Sequence, residues 1–370
     1  MAGMLFSSYY VECRYERRIS MRSLYLACGL LLLPFLLSCS EVKTVGAGKL
    51  FRIKQNGKWG FMDRDGKVIV NPSFDSVGEF SEGLAPFTQG DKNGYIDTKG
   101  EIAIALKFDR TGYFHEGLAK IMIGGKWGFT DKTGKLVIET QFDAARDFSE
   151  GLSAVNVGGK RGEYIFKGGK WGFIDNTGRY AVELRFDNAE SFSEGLAAVS
   201  EGGSERKYGY IDKTGKYVIE PKFFSANRFS EGLACVRNPT ATLAGIPVDN
   251  RDGYIDKTGR IVIPLQFNEA NDFSEGLAAV KIGQDYGFID SNGRMAIQPK
   301  YDLVFVQFTE ALIPVRVGKK WGYIDMTGAY IVSPQFDYAL PFGGGIAEVH
   351  IDGKCGYIDK TGKYVWEPHE

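Results

Sequence analysis

The 370-residue sequence holds only five cysteines, twelve prolines and three histidines. So few cysteines exclude a disulfide framework, and stability must come from a hydrogen-bonded, apolar core. Cys235 and Cys355 stand 120 residues apart with no partner at metal-ligand or redox spacing. Scarce proline argues against collagen-like or low-complexity sequence. His115, His350 and His369 are far apart and occupy different places in the pattern described below. No HExxH, GxSxG, P-loop or dinucleotide fingerprint is present. The expectation is therefore no enzyme: no catalytic residue, no metal and no cofactor. An excess of charge is also missing. With 45 basic and 46 acidic residues and a pI near 6.4, the chain has no basic field to hold nucleic acid phosphates. Glycine, by contrast, is abundant: 48 residues, well above the usual share of about 7%. Many turns are expected, and 44% hydrophobic residues suffice for a core.

Most of the glycine belongs to a repeat. A glycine within a motif such as Trp59-Gly60-Phe61-Met62-Asp63 recurs nine times, at 60, 94, 128, 172, 209, 253, 287, 322 and 356. The spacings are 34, 34, 44, 37, 44, 34, 35 and 34, so the period is 34. A second motif, Phe-Ser-Glu-Gly-Leu, appears at 80–84, 148–152, 192–196, 229–233 and 273–277, with looser copies at 114–118, 308–312 and 342–346. Eight copies against nine imply a truncated last unit.

Within one unit, Leu277-Ala278-Ala279-Val280-Lys281, Tyr286-Gly287-Phe288-Ile289-Asp290 and Arg294-Met295-Ala296-Ile297 read as three short strands bounded by turn residues. Asp-x-x-Gly, as in Asp290 to Gly293, writes a β-turn between the second and third. One carboxylate per unit is too sparse for Ca²⁺. Alternation places Trp and Phe of Trp-Gly-Phe-Ile on one face. Trp59, Gly60, Trp127, Gly128, Trp171, Gly172, Trp321 and Gly322 are the expected stacking residues, each ring seated over a neighbouring glycine. Phe-Ser-Glu-Gly should form a compact corner of about one helical turn.

The first forty residues read as an address. Residues 24–37 form an apolar run of fourteen, short for a membrane span but suited to a signal peptide. Leu36-Leu37-Ser38-Cys39 resembles the lipobox of bacterial lipoproteins. The resemblance implies a signal peptide over 1–38, with Met21 as an alternative start, lipidation at Cys39 and a tether over 39–48. Ser40 after the cysteine implies the outer rather than the inner membrane where a cell has both.

Lys-Trp-Gly-Phe-Ile-Asp-x-Thr-Gly-Lys together with Phe-Ser-Glu-Gly-Leu-Ala-x-Val resembles the WG-repeat family of bacterial proteins over residues 49–370. The resemblance implies an all-β array at a surface or envelope and no general enzymatic activity. Departures are Asn93, Asp252 and Cys355 at the Trp position, and Ala311 and Gly343-Gly344 in the corner. Units of 34 residues cannot bury their own apolar faces, so neighbours must stack. Three strands per unit favour an open hairpin solenoid or superhelix of about nine units; a closed propeller-like ring is the alternative.

Both long spacings, and a smaller insertion at 201–207, fall at the turn between first and second strands. Insertions at one turn emerge on one edge of an array. Lys160, Arg161, Tyr164 and Phe166, with Thr240, Leu243 and Ile246, are thus the candidate binding loops, against the alternative that exposed turns merely tolerate insertion. The expected function is an envelope-anchored, non-enzymatic scaffold for an envelope protein, or, alternatively, a cell-wall or glycan binder using its aromatics. The membrane is reached only through the N-terminal lipid, and no nucleic acid is involved.

Overall fold

The computed structural model describes residues 49–161, 166–203, 207–243 and 246–369. The proposed leader, Cys39 and the tether lie outside the described residues. The described residues from 49 to 160 and from 168 to 369 belong to one compact unit.

The described residues contain strands and no helix. They form nine antiparallel sheets, or blades, numbered here in chain order: 51–74, 76–108, 110–142, 144–186, 188–223, 225–267, 269–301, 303–336 and 338–369. Blades 2 to 9 each have four strands in sequential order, and blade 1 has three. The strand additional to the three read from sequence is the Phe-Asp-x-Ala segment. In blade 5 it is only Asn188–Ala189, paired with Ser200 and Val199. Two residues carry no alternation, which is why sequence periodicity does not reveal it. Because this strand is so short, four fit into 34 residues.

The blades stand in a closed ring, the alternative expected from sequence, rather than in the open solenoid that three strands per unit favoured. Phe51, Ile53 and Met62 of blade 1 share a cluster with Ile346 and Tyr357 of blade 9. The Tyr357 hydroxyl donates to the Arg52 carbonyl at 2.7 Å. The ends meet by packing, since blade 1 borrows no strand from blade 9. A repeat begun at Trp-Gly straddles two blades. The incomplete ninth copy is thus a matter of phase: blade 9 has all four strands, and the missing one is at blade 1.

The last strand of each blade alternates cleanly; in Tyr330–Phe336 the buried positions are Val332 and Phe336. The strand before it, Lys320–Asp325, meets it with register shifts on either side of Tyr323. There the backbones close up: a Cβ on Gly322 would lie 2.5 Å from the Val332 carbonyl oxygen. The glycine of Trp-Gly therefore serves a bulged approach between strands of one blade. It does not seat a neighbouring ring, as expected from sequence.

The ring-to-ring ladder lies one position further on. Phe173 meets Phe192 at 4.8 Å between centroids, Tyr210 meets Phe229 at 4.9 Å, and Tyr323 meets Phe342 at 4.8 Å, each across a blade junction. Such tilted and edge-on pairs add roughly 0.5–1.5 kcal/mol beyond area burial.

Candidate functional site

The Phe-Ser-Glu-Gly corner is a two-residue hairpin turn, not a helical turn. Ser193 and Leu196 bridge, while Glu194 at φ 54° and Gly195 at φ 86° take left-handed conformations. Glutamate rarely adopts such a φ, at a cost of order 1–3 kcal/mol. Its carboxylate explains the choice. Glu194 accepts the Gly232 amide of the next blade at 3.1–3.2 Å and pairs with Lys257 of that same blade at 3.0 Å. Ser193 Oγ donates to the Phe229 carbonyl at 2.7 Å. The same glutamate-to-amide bond runs from Glu82, Glu116, Glu150, Glu231, Glu275 and Glu310. Ala311 stands in the glycine's place at φ 65° and still donates its amide, to Glu275. Blade after blade is thus linked by a belt of charge-assisted bonds.

A second clamp was not foreseen from sequence. Lys320 Nζ lies 2.6 Å from Asp337 Oδ1, and the Asp352 amide donates to Asp337 Oδ2. Lys58, Lys92, Lys126 and Lys170 pair likewise with Asp75, Asp109, Asp143 and Asp187. The signal was present: every one of these pairs is seventeen residues apart.

The stacking residues are scaffold. Trp171 and Trp321 are buried and Trp59 and Trp127 half-buried; Trp59, Trp127 and Trp321 belong to clusters that span blade junctions, and Trp171 lies against the Arg146 guanidinium of its own blade. Gly60, Gly128 and Gly172 sit, like Gly322, against the last strand of their own blade. Where the Trp position departs, polar bonds replace the ring. Asn93 accepts from Thr88 and donates to the Asp109 carbonyl. Asp252 is fully buried, holds Arg237 at 2.6 and 3.0 Å through two oxygens, and accepts the Ala270 amide.

Cys355 lies at the closing seam. His350 is directly opposite it on the neighbouring strand, and Glu348 is opposite Tyr357. Glu348 accepts from Tyr357 at 3.0 Å, lies 2.9 Å from His350 Nε2 and sits 3.6 Å from the Arg52 guanidinium. Burial pushes the Glu348 carboxyl up, but His350, Arg52 and Tyr357 outweigh it and hold the group below its ordinary range. Burial and then the Glu348 charge push the Cys355 thiol well up. Sequence spacing showed no partner for this cysteine because its partners are cross-strand neighbours in a hairpin.

The inserted segments extend strands. The first hairpin runs through Leu152–Arg161 and Phe166–Asp175, the second through Leu233–Leu243 and Ile246–Ile255. The corresponding strands of blade 7 are Leu277–Ile282 and Asp285–Asp290. Blades 4 and 6 thus carry long hairpins at the same turn, with blade 5 between them. Lys160 is exposed. Leu243 pairs with Ile246 at the second hairpin's tip, beyond an irregularity that includes Thr240. Tyr164 lies outside the described residues, as do the side chains of Arg161, Phe166, Thr240, Leu243 and Ile246.

A closed ring of small antiparallel sheets, each repeating the same junction chemistry, is a β-propeller, here with nine blades. The chain belongs to the WG containing repeat family, whose model matches residues 59–92, 94–127, 127–160, 171–204, 208–238, 253–284, 286–321 and 321–355. No curated protein matches the sequence. Among solved structures it is similar to a eukaryotic initiation factor, at 14% identity and TM-score 0.53, covering 78% of this chain and 85% of that one. It is also similar to the dihydro-heme d1 dehydrogenase NirN, at 12% identity and TM-score 0.44, covering 79% of this chain and 74% of that one. A third is Hsv2p of Kluyveromyces lactis, at 9% identity and TM-score 0.39, covering 79% and 96%. At these identities the likeness concerns the fold alone. A repeat-rich propeller of this kind suggests a protein-interaction scaffold.

Proposed function

We propose that the ring is a non-enzymatic interaction scaffold, held at the cell envelope through a lipid on Cys39, that presents the long hairpins of blades 4 and 6 to another envelope protein. The observation that carries this reading is the pair of lengthened hairpins at one repeat position, on either side of blade 5. Turn position is common to all blades, so both hairpins leave the same face of the ring. The inward packing of Trp171 and Trp321 favours this over a glycan platform, which needs exposed rings.

Trimming either hairpin to the two-residue turn of blade 7 should leave the circular dichroism spectrum and melting temperature nearly unchanged and remove one defined band from cross-linked envelope complexes. Identical cross-linked complexes from wild type and both trimmed variants would sink the proposal. Cys39→Ser should release the protein from membranes into the soluble fraction; unaltered membrane retention would refute the anchor.

A further inference from the structure

The hairpin that closes the ring gathers three different metal-binding side chains. Glu348 and His350 lie on Ile346–Ile351 and Cys355 on Lys354–Asp359. A carboxylate oxygen, an imidazole nitrogen and the thiol sulfur lie within 4.8 Å of one another, and all three residues are half-buried. We propose that Glu348, His350 and Cys355 form a binding site for a borderline-soft divalent cation, of which Zn²⁺ fits best, at the seam of the ring. This departs from the sequence expectation of no metal.

Donor chemistry selects the ion. Sulfur, nitrogen and oxygen from cysteine, histidine and glutamate are the ligands Zn²⁺ takes, whereas Ca²⁺ and Mg²⁺ demand oxygen alone. In a tetrahedral site with bonds of about 2.0–2.3 Å the ligand atoms stand roughly 3.3–3.8 Å apart. Reaching that spacing takes side-chain rotation within one hairpin. Cross-strand pairing of His350 with Cys355 already fixes their backbones side by side. Three protein ligands leave a fourth position for water.

The surroundings match what a bound cation requires of its second layer. Glu348 offers one oxygen toward His350, while the other is held by the Tyr357 hydroxyl, which fixes the carboxylate's orientation. The His350 ring is placed by an edge contact with Tyr338 at 5.9 Å. The equivalent positions elsewhere carry no such set. In blade 8 they are Pro314, Arg316 and Trp321, and in blade 4 Ala154, Asn156 and Trp171. A thiol is also far smaller than the indole that blades 1, 3, 4 and 8 carry at this position, so the hairpin face at the seam leaves room for an ion where those four are filled.

The test uses the full chain, reduced, with Co²⁺ as the spectroscopic probe and Zn²⁺ as competitor. Wild type should develop a thiolate-to-Co²⁺ charge-transfer absorption at one equivalent, abolished by stoichiometric Zn²⁺. Cys355→Ser should lose that absorption, Cys235→Ser should keep it, and His350→Ala should weaken binding at least tenfold. Circular dichroism on each variant separates loss of the site from loss of the fold, and the part-exposed His350 provides the second readout should Cys355→Ser fail to fold. Equal absorption in wild type and Cys355→Ser, no absorption in wild type at high micromolar Co²⁺, or unchanged affinity in His350→Ala would overturn the proposal.

Discussion

The junction between blades 8 and 9 and the seam between blades 9 and 1 join equivalent faces by different means. At the former, Trp321, Tyr323, Val332 and Phe336 pack against Ala339, Phe342, Val349 and Ile358 in a cluster of ten buried side chains. The Tyr323 hydroxyl donates to the Leu340 carbonyl, and Glu310 caps the Gly344 and Gly345 amides. At the seam the corresponding cluster has five buried members, and Glu348, Arg52 and His350 occupy the space beside it. Gly344 stands where the belt glutamate would be, so the belt ends there. Apolar burial of about 1.5–3 kcal/mol per large side chain outweighs partly exposed ion pairs of about 1 kcal/mol or less. The seam is therefore the weaker of the two, and it is also the only junction with mixed metal-binding donors among the described residues.

The sharpest way to break this comparison is Tyr323→Ala, which should cost about 3–5 kcal/mol of stability in urea unfolding. Tyr357→Ala at the seam should cost clearly less, and equal losses would put the two junctions on a par. Next comes Arg237→Ala at the blade 6 to 7 junction, which strands a buried Asp252 and should cost about 3–5 kcal/mol. Arg52→Ala leaves Glu348 with His350 and Tyr357 and should cost less than half as much in the same assay. Amide exchange should then show blade 1 and the end of blade 9 opening before blades 5 to 8; a uniform pattern would argue against a weak seam.

Acid should discriminate too. Burial raises the Glu310 carboxyl, but Lys360 and the Gly344 and Gly345 amides outweigh it and hold the group below the ordinary glutamate value of 4.5. Because the folded value is the lower one, its stabilisation is present above pH 4.5 and is lost as pH falls through the folded value. Glu310→Gln should flatten that acid limb, measured by urea midpoints across pH; an unaltered slope would count against the belt. The smallest effect belongs to Lys320→Met, whose exposed ion pair with Asp337 is screened by solvent, so the urea midpoint should stay nearly where it is in wild type.

Much of this was legible in the chain itself. The repeat, the Asp-x-x-Gly turn and the alternating faces follow from local patterns; Asp325 Oδ1 accepts the Thr327 and Ala329 amides as a turn aspartate should. Ring closure was less legible because it hinges on strands as short as Asn188–Ala189, too brief for any periodicity. That the corner glutamates bond backbone amides was legible, but which amides was hidden because their partners lie in the next blade. A spacing of 34 residues reads as repetition, not as contact. Glu348, His350 and Cys355 were missed for a related reason: a hairpin brings together side chains whose sequence separations match no known ligand motif.

The glutamate of the corner turn always reaches forward, to the amide of the blade that follows, and never back. The belt therefore has a direction, and every inner blade carries one acceptor for its successor and one donor for its predecessor. A blade copied whole within the chain arrives with both halves of its bonding in place, whatever the copy number. Growth or loss of repeats is for that reason a single-step change anywhere along the belt. Only the seam, where Gly344 offers no carboxylate, fixes which two blades must be the ends.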